Sequence, residues 1–571
     1  MGVPPQSGNI DVKPSTLHQV AGGFAREQTV FDKGARHLIA ELKEYPDAGG
    51  YGTAAQGFAS AYLRVGNRFL EVWAKSVVSI GGAAVGFATT ANNYSKAEAA
   101  NDASGKTKSQ VQAPPAVVTT APDYGSVPDL KWGDDDGGDD FVRSLLEGIP
   151  SAIWHIIRPL LEHAFRWGKV AEVYPYPQQH YLNSLSQSWA DMTKALSWTE
   201  GSLTGQMYSI TQQSDSEWHD AMRQFCSSLW GTTAWGKTTA NYEWQHDKAA
   251  NQQPSHPVMT VLFDSAMKIS DLLRAFAEAA VYVNGEVWDV YQEAIKQAVG
   301  DLDLSDGIDL KDVKEGVKGI GRLIKGVAKG AAELGTEITL NIDTAALNRI
   351  VDEYNRRVNA LVPQLDALRG PLDEAHRSAP TYAAEDARAE AFGARSLNDF
   401  RKEHQFTVPG QDPENMFYPL DLASQEGLYG SHPIDKHVGL TDDQLRVRLR
   451  DQAGAPAASS FQDLRSAQQF TTAVIEDIDN ADRIDKWIAN VEKKIKNNPN
   501  YNPNSSEISP PLYKEFPGQS TGRSVSRADY NVDGMQARAV DKNWVQVRLI
   551  YKEGLHPPFI VLTAMPHDGV P

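Results

Sequence analysis

A chain of 571 residues with 41% hydrophobic and 9% aromatic side chains carries enough apolar material for several packed cores, and its length favours three or four domains. Its formal charge of −18 excludes a general nucleic-acid coat, because phosphate repels an acidic surface, so any contact with nucleic acid is local. The single cysteine, Cys226, excludes an intramolecular disulfide and a thiolate metal cluster. Met1 to Ser7 lack a basic region leading into an apolar stretch, so no Sec-type signal is expected. The uncharged stretch from Ser76 to Ser95 is rich in Gly, Ala, Ser, Thr and Asn, and it reads as too polar to span a bilayer. A soluble, multidomain protein is expected.

From about Lys13 to Asp102 two helical patterns flank the turn Tyr45 to Gly52. Leu17, Val20, Phe24, Phe31 and Leu38 recur at helical spacing before it, and Phe58, Tyr62, Val65, Phe69 and Val72 after it. An antiparallel hairpin follows, ending at Tyr94-Ser95-Lys96-Ala97-Glu98. This layout resembles the WXG-type substrates of type VII secretion, in which a helical hairpin precedes a Tyr-x-x-x-Asp/Glu export motif. The resemblance implies a secretion region over residues 1–102, with Tyr94 and Glu98 as the motif and small helical secretion partners. The turn lacks the family's Trp-x-Gly.

Residues 103–140 shift to Ser, Thr, Pro, Gly and Asp and read as a disordered linker. The acidic run Gly133 to Asp140 lacks the spaced ligands of a calcium loop. Residues 141–300 hold nine of the thirteen tryptophans and read as a Trp-rich helical domain, with a second WXG-like hairpin around Trp230 and Trp235. Over 301–400, the run Lys311 to Gly335 alternates glycine, lysine and aliphatics. It suits either a membrane surface or tight helix packing, and packing is favoured. Ile342 to Arg377 reads as one long helix, Ser378 to Asn415 as a charged connector, and 401–425 as a linker.

Residues 426–571 change grammar. Thr441 is an expected N-cap with Asp442 and Asp443 in the first turn. Arg448 stands eleven residues beyond His437, beside a face formed by Leu445 and Leu449. A second helix is expected from Ser459 or Ser460 through Phe461, Leu464 and Phe470, then strands at 536–540, 544–551 and 558–564. The expected fold class is thus multidomain: mainly α-helical N-terminal and central regions built of hairpins, then a small α+β domain with an antiparallel sheet, helices first and strands last.

No Cys pairs, His-Glu-x-x-His helix or dense acidic cluster marks a metal site, so neither metal nor cofactor is expected. A metal-independent phosphodiesterase needs a base with a pKa near 7 and a fixed cation for charge building on phosphorus. His437 and Arg448 are of those types, and Thr563 ends a strand pattern nearby. RNA carries its own nucleophile, the 2′-hydroxyl, whereas DNA does not, so RNA is the expected substrate. Residues 483–552 carry 12 Lys/Arg against 7 Asp/Glu, a local +5 that suits phosphate.

Residues 420–571 resemble the bacterial RNase A-like toxin domain of contact-dependent growth-inhibition proteins. The resemblance lies in the segment from His432 to Thr441, the helix of Arg448, Ser460-Phe461-x-Asp463-Leu464, Trp487, and Leu562-Thr563-Ala564-x-Pro566. It implies catalytic roles for His437, Arg448 and Thr563, cleavage to a 2′,3′-cyclic phosphate without metal, tRNA among the candidate substrates, and neutralisation by a cognate immunity protein. It also implies secretion and action in the cytoplasm of a target bacterium. The family's tyrosine two residues beyond the threonine is Met565 here. Tyr551, His556 or His567 then stands in as proton donor, with His432 and Lys436 as further accessory groups, or three groups suffice. Met565 equally suits a non-enzymatic secretion substrate whose degenerate C-terminal domain binds a partner. A phosphotransfer toxin is disfavoured for want of a glycine-rich phosphate loop.

Overall fold

The computed structural model describes residues 13–101, 104–131, 168–211, 238–239, 242–243, 258–301, 341–396, 421–498, 500–503, 507–555 and 557–570. The acidic run, the segment around Trp230 and Trp235, Lys311 to Gly335 and His556 lie outside them. The chain is mostly helical and closes with two small antiparallel sheets.

Helices α1 (Pro14–Leu42) and α2 (Thr53–Asn101) form the expected hairpin. Trp73 stacks on Phe31 at 4.0 Å, and its Nε1 donates to the Phe31 carbonyl at 3.0 Å, so the ring is buried without losing its polar contact. Truncating such a tryptophan costs about 3–5 kcal/mol. Helix α2 is long and apolar enough by length and composition to cross a membrane, at a mean hydropathy of 1.3 in its most apolar window. Protein covers it: 83% of that window is buried.

Helices α3 (Gln179–Thr211) and α4 (Val258–Asp301) pair with each other and against the first hairpin, and all four share one hydrophobic core. Trp189 joins it, its Nε1 donating to the Tyr62 hydroxyl at 3.1 Å. Trp198, by contrast, is 77% exposed, so tryptophan content alone overstated the core. Residues 104–131, composed like a linker, lie extended against this body with Tyr124, Val127 and Leu130 buried. Gln28 anchors the strap: its Oε1 accepts from Val118 N and its Nε2 donates to Val118 O. A few well-spaced apolar side chains and one paired amide are enough to dock it.

The helix expected over Ile342 to Arg377 is broken into α5 (Thr344–Asn359), α6 (Val362–Asp366) and α7 (Arg369–Ser378). Pro363 sits in the first turn of α6, where its missing N–H costs nothing, and so divides the pattern. Where a connector was expected, α8 (Tyr382–Ser396) packs along α2. A Cβ at Gly86 would stand 2.3 Å from the Ala389 Cβ, so glycine is what admits α8 there.

The C-terminal region begins with α9 (Leu422–Gln425) and α10 (Asp442–Asp451). Thr441 caps α10 with a full capping box shared with Gln444, worth about 1 kcal/mol. The helix expected from Ser459 begins instead at Leu464. Residues Ala457–Ser460 form β1, and Asp463 caps α11 (Leu464–Ile475), followed by α12 (Ile478–Asn497). Strands β2 (Leu512–Glu515) and β3 (Gly522–Ser526), helix α13 (Arg527–Asp533), then β4 (Val540–Lys542), β5 (Trp544–Tyr551) and β6 (Phe559–His567) complete the chain. One sheet runs β1-β3-β4 and the other β2-β5-β6. Of the strand expected at 536–540 only Val540 is paired, at the start of Val540–Lys542, and β1 is a strand that was not expected, lying between helices rather than after them.

Candidate active site

The segment from Ser431 to Gly439 is held against both sheets by backbone bonds and one serine side chain. Ser431 Oγ donates to Val561 O at 2.5 Å and His432 N to Leu562 O at 3.0 Å, which sets the segment on β6 just before Thr563. Phe461 N donates to His437 O at 2.8 Å and Gly439 N to Phe461 O at 2.9 Å, which ties His437 to the end of β1.

His437 is buried, and its Nδ1 lies 3.1 Å from the Ser459 carbonyl. A carbonyl only accepts, so Nδ1 carries the proton and Nε2 keeps the lone pair. That Nε2 is buried with no hydrogen-bond partner among the described residues. Burial pushes the His437 pKa well below its usual value, and the Arg448 cation, then His432 and Lys436, act in the same direction against the Ser459 bond. The imidazole is therefore neutral near pH 7, with a free lone pair in a cationic pocket: the state of a general base.

Arg448, on α10, donates from Nη1 to Lys436 O at 2.6 Å and from Nε to Gln452 Oε1 at 3.2 Å. These bonds fix the guanidinium plane beside the His437 segment and leave Nη2 for an anion. Burial lowers its pKa while Asp435 opposes that shift, and a guanidinium stays charged there. Thr563, opposite Arg548 in the β5–β6 pairing, is buried, and its Oγ1 also has no partner among the described residues. A β-hydroxyl left unpaired in this way is costly unless a ligand completes it.

The accessory candidates separate. His432 stacks over His437 with ring centroids 6.3 Å apart, its Nδ1 2.8 Å from Gly430 O, and burial draws its pKa down. Lys436 takes part through its carbonyl. Tyr551 packs against Trp487 at 6.2 Å, with Glu492 and Glu553 as its charged neighbours. Met565, on β6, pairs with Gln546 of β5 and is half-buried. His567 bonds through Nδ1 with Gly569 O at the end of that strand. Tyr94 is buried in α2, with Glu98 exposed one turn later.

Sequence reasoning missed three groups. The Ser459 carbonyl is a backbone acceptor and carries no side-chain signal. Asp435, one residue from the carbonyl that holds Arg448, is visible only as another acid in the motif. Arg388, on α8, donates from Nε to Asp435 Oδ1 at 3.2 Å and from Nη1 to Glu385 Oε1 at 3.2 Å.

Residues 431–566 match the family model described as the bacterial CdiA-CT RNAse A domain, which supports a bacterial ribonuclease toxin domain for the segment carrying His437, Arg448 and Thr563. A solved CdiA-CT/CdiI complex from Y. kristensenii 33638 is 19% identical; the likeness covers 24% of this chain and 96% of that one at a TM-score of 0.17. No curated protein matches.

Proposed function

We propose that the C-terminal domain is a metal-independent endoribonuclease that cleaves RNA to a 2′,3′-cyclic phosphate. The observation that carries this is the tautomer of His437: Ser459 O fixes the proton on Nδ1 and leaves an unpaired Nε2 beside Arg448. His437 Nε2 takes the 2′-hydroxyl proton as the 2′-oxygen attacks phosphorus. Arg448 and the Thr563 hydroxyl bind the non-bridging oxygens on which charge builds. The 5′-oxygen leaves with a proton from water, in place of the tyrosine that Met565 replaces, because His432, stacked on His437, is itself held neutral by burial. Both His437 Nε2 and Thr563 Oγ1 are covered, so the segment from Tyr429 to His437 must shift for RNA to enter.

The N-terminal hairpin serves as a type VII-type export signal in this reading. The buried Tyr94 means that such a motif is read before the helical body has packed around it. The toxin acts in the cytoplasm of a target bacterium, and a cognate immunity protein restrains it in the producer. The test is cleavage of total RNA, including tRNA, by the full chain in EDTA. Wild-type protein should yield cyclic-phosphate ends and His437→Ala none. Intact RNA with wild-type protein would instead favour a degenerate domain acting by partner binding.

A further inference from the structure

Helix α8 lies outside the family match yet is built into the domain it precedes. Its Ala387 and Ala391 belong to the hydrophobic core formed by Ile434, Val438 and the second sheet. Thr381, at its N-terminal end, accepts from Ala384 N at 3.0 Å and donates to Gly439 O at 2.6 Å. Gly439 has φ 69°, and a Cβ there would sit 2.6 Å from Ala384 N, so this turn of the His437 segment is shaped to receive α8. The α8 contacts thus bracket His437, at Asp435 on one side and Gly439 on the other.

The Asp435 contact bears on the chemistry. Asp435 is half-exposed, and its carboxylate lies within electrostatic reach of both Arg448 and His432. A carboxylate free to move there is the natural partner for the open edge of Arg448, where it would form a charge-assisted bond in competition with a substrate phosphate. Instead Arg388, mostly buried and flanked by Glu385, engages it.

We propose that Arg388 is a positioning residue of this site: it holds the Asp435 carboxylate off Arg448 and so keeps that guanidinium available to a phosphate. The proposal rests on the ribonuclease reading for its substrate, but its test separates the two. In the full chain, cleavage of a labelled oligoribonucleotide is measured beside the affinity for the same oligonucleotide with 2′-deoxy sugars, which binds but cannot be cut. Arg388→Met is expected to lower both kcat/KM and affinity about tenfold or more, as a competing ion pair would. Adding Asp435→Asn should restore both to within about threefold, because the competitor is gone. Should Arg388→Met fail to fold, Arg388→Lys keeps a charge against Glu385 while loosening Asp435, and the same rescue applies. A double variant as impaired as the single one means that Arg388 is merely structural, and full activity in Arg388→Met removes any role; either result overturns the proposal. If wild-type protein binds the uncut analogue with this pattern yet cuts no RNA, the ribonuclease reading falls and the positioning role stands. If it neither binds nor cuts, both fall.

Discussion

The helical body and the C-terminal domain each set a histidine among cations, half-buried in one and buried in the other, and they do so to different ends. In the body, His376 on α7 sits near Lys75 and Arg68; burial first, then those two charges, pull its pKa down to about 4. Two carboxylates oppose the shift, Glu71 at 4.0 Å and Asp443, so the ring lies inside a mixed charge network. In the C-terminal domain no carboxylate is among the causes acting on His437. One nitrogen is committed to a carbonyl, and the other is buried and unpaired among the described residues. A lowered pKa is thus common to a packing histidine and a poised base; the orientation of the lone pair tells them apart.

The largest effect that would break or sharpen this contrast is the loss of each ring. His437→Ala should reduce RNA cleavage by about 10³-fold or more, within the range for a general base. His376→Ala should leave the rate within about twofold, since it touches no reacting atom. Equal losses in a gel-based time course would erase the distinction. Next come the groups facing the phosphate. Arg448→Ala is expected to cost about 10²–10³-fold and Thr563→Val about 10²-fold in kcat, as removal of a preorganised donor does. Thr563→Val keeps the strand and its shape, so an unchanged rate would assign that buried hydroxyl to packing.

The acid limb of the pH–rate profile is a subtler discriminator. The folded pKa of His437 is lowered, so the base stays deprotonated as pH falls through its ordinary 6.5, and the rate should decline only below that value. A limb above pH 6.5 would mean that the pocket opens to water before the proton transfer.

How much of this was legible in the sequence follows from where each signal resides. The hairpin of α1 and α2 is announced by large apolar side chains at helical spacing and a turn no helix continues through, and Thr441 by a cap followed by acids. The residue types at 437, 448 and 563 were visible for the same reason: chemistry that depends on side chains shows in the letters. Strand β1, Ala457–Ser460, was not, because two alanines and two serines have little strand preference and are held by pairing with β3. Helix α8 read as a connector because the face it buries is alanine, which carries too little apolar area to mark a core. The Ser459 carbonyl that orients His437, and the carboxylate that Arg388 restrains, are matters of register and docking.

The docking of α8 itself yields the smallest predicted effect and the most specific one. Asp386 faces the C-terminal domain; burial, with the Asp463 carboxylate adding to it, pushes its pKa up to about 7 from an ordinary 3.8. The unfolded chain ionises there first, so Asp386 lowers stability progressively as pH rises from about 4 to about 7, and the loss is then constant. The buried neutral histidines act oppositely, reducing stability as pH falls below 6.5. Comparing Asp386→Asn with wild type at each pH cancels the histidines, which both proteins share. The variant should match wild type at pH 4 and unfold at least about 3 °C higher at pH 8, given about 2–4 °C per kcal/mol for a unit of this size. A difference that does not change with pH would mean that Asp386 reaches water, and that α8 is not seated against the domain whose His437 segment it brackets.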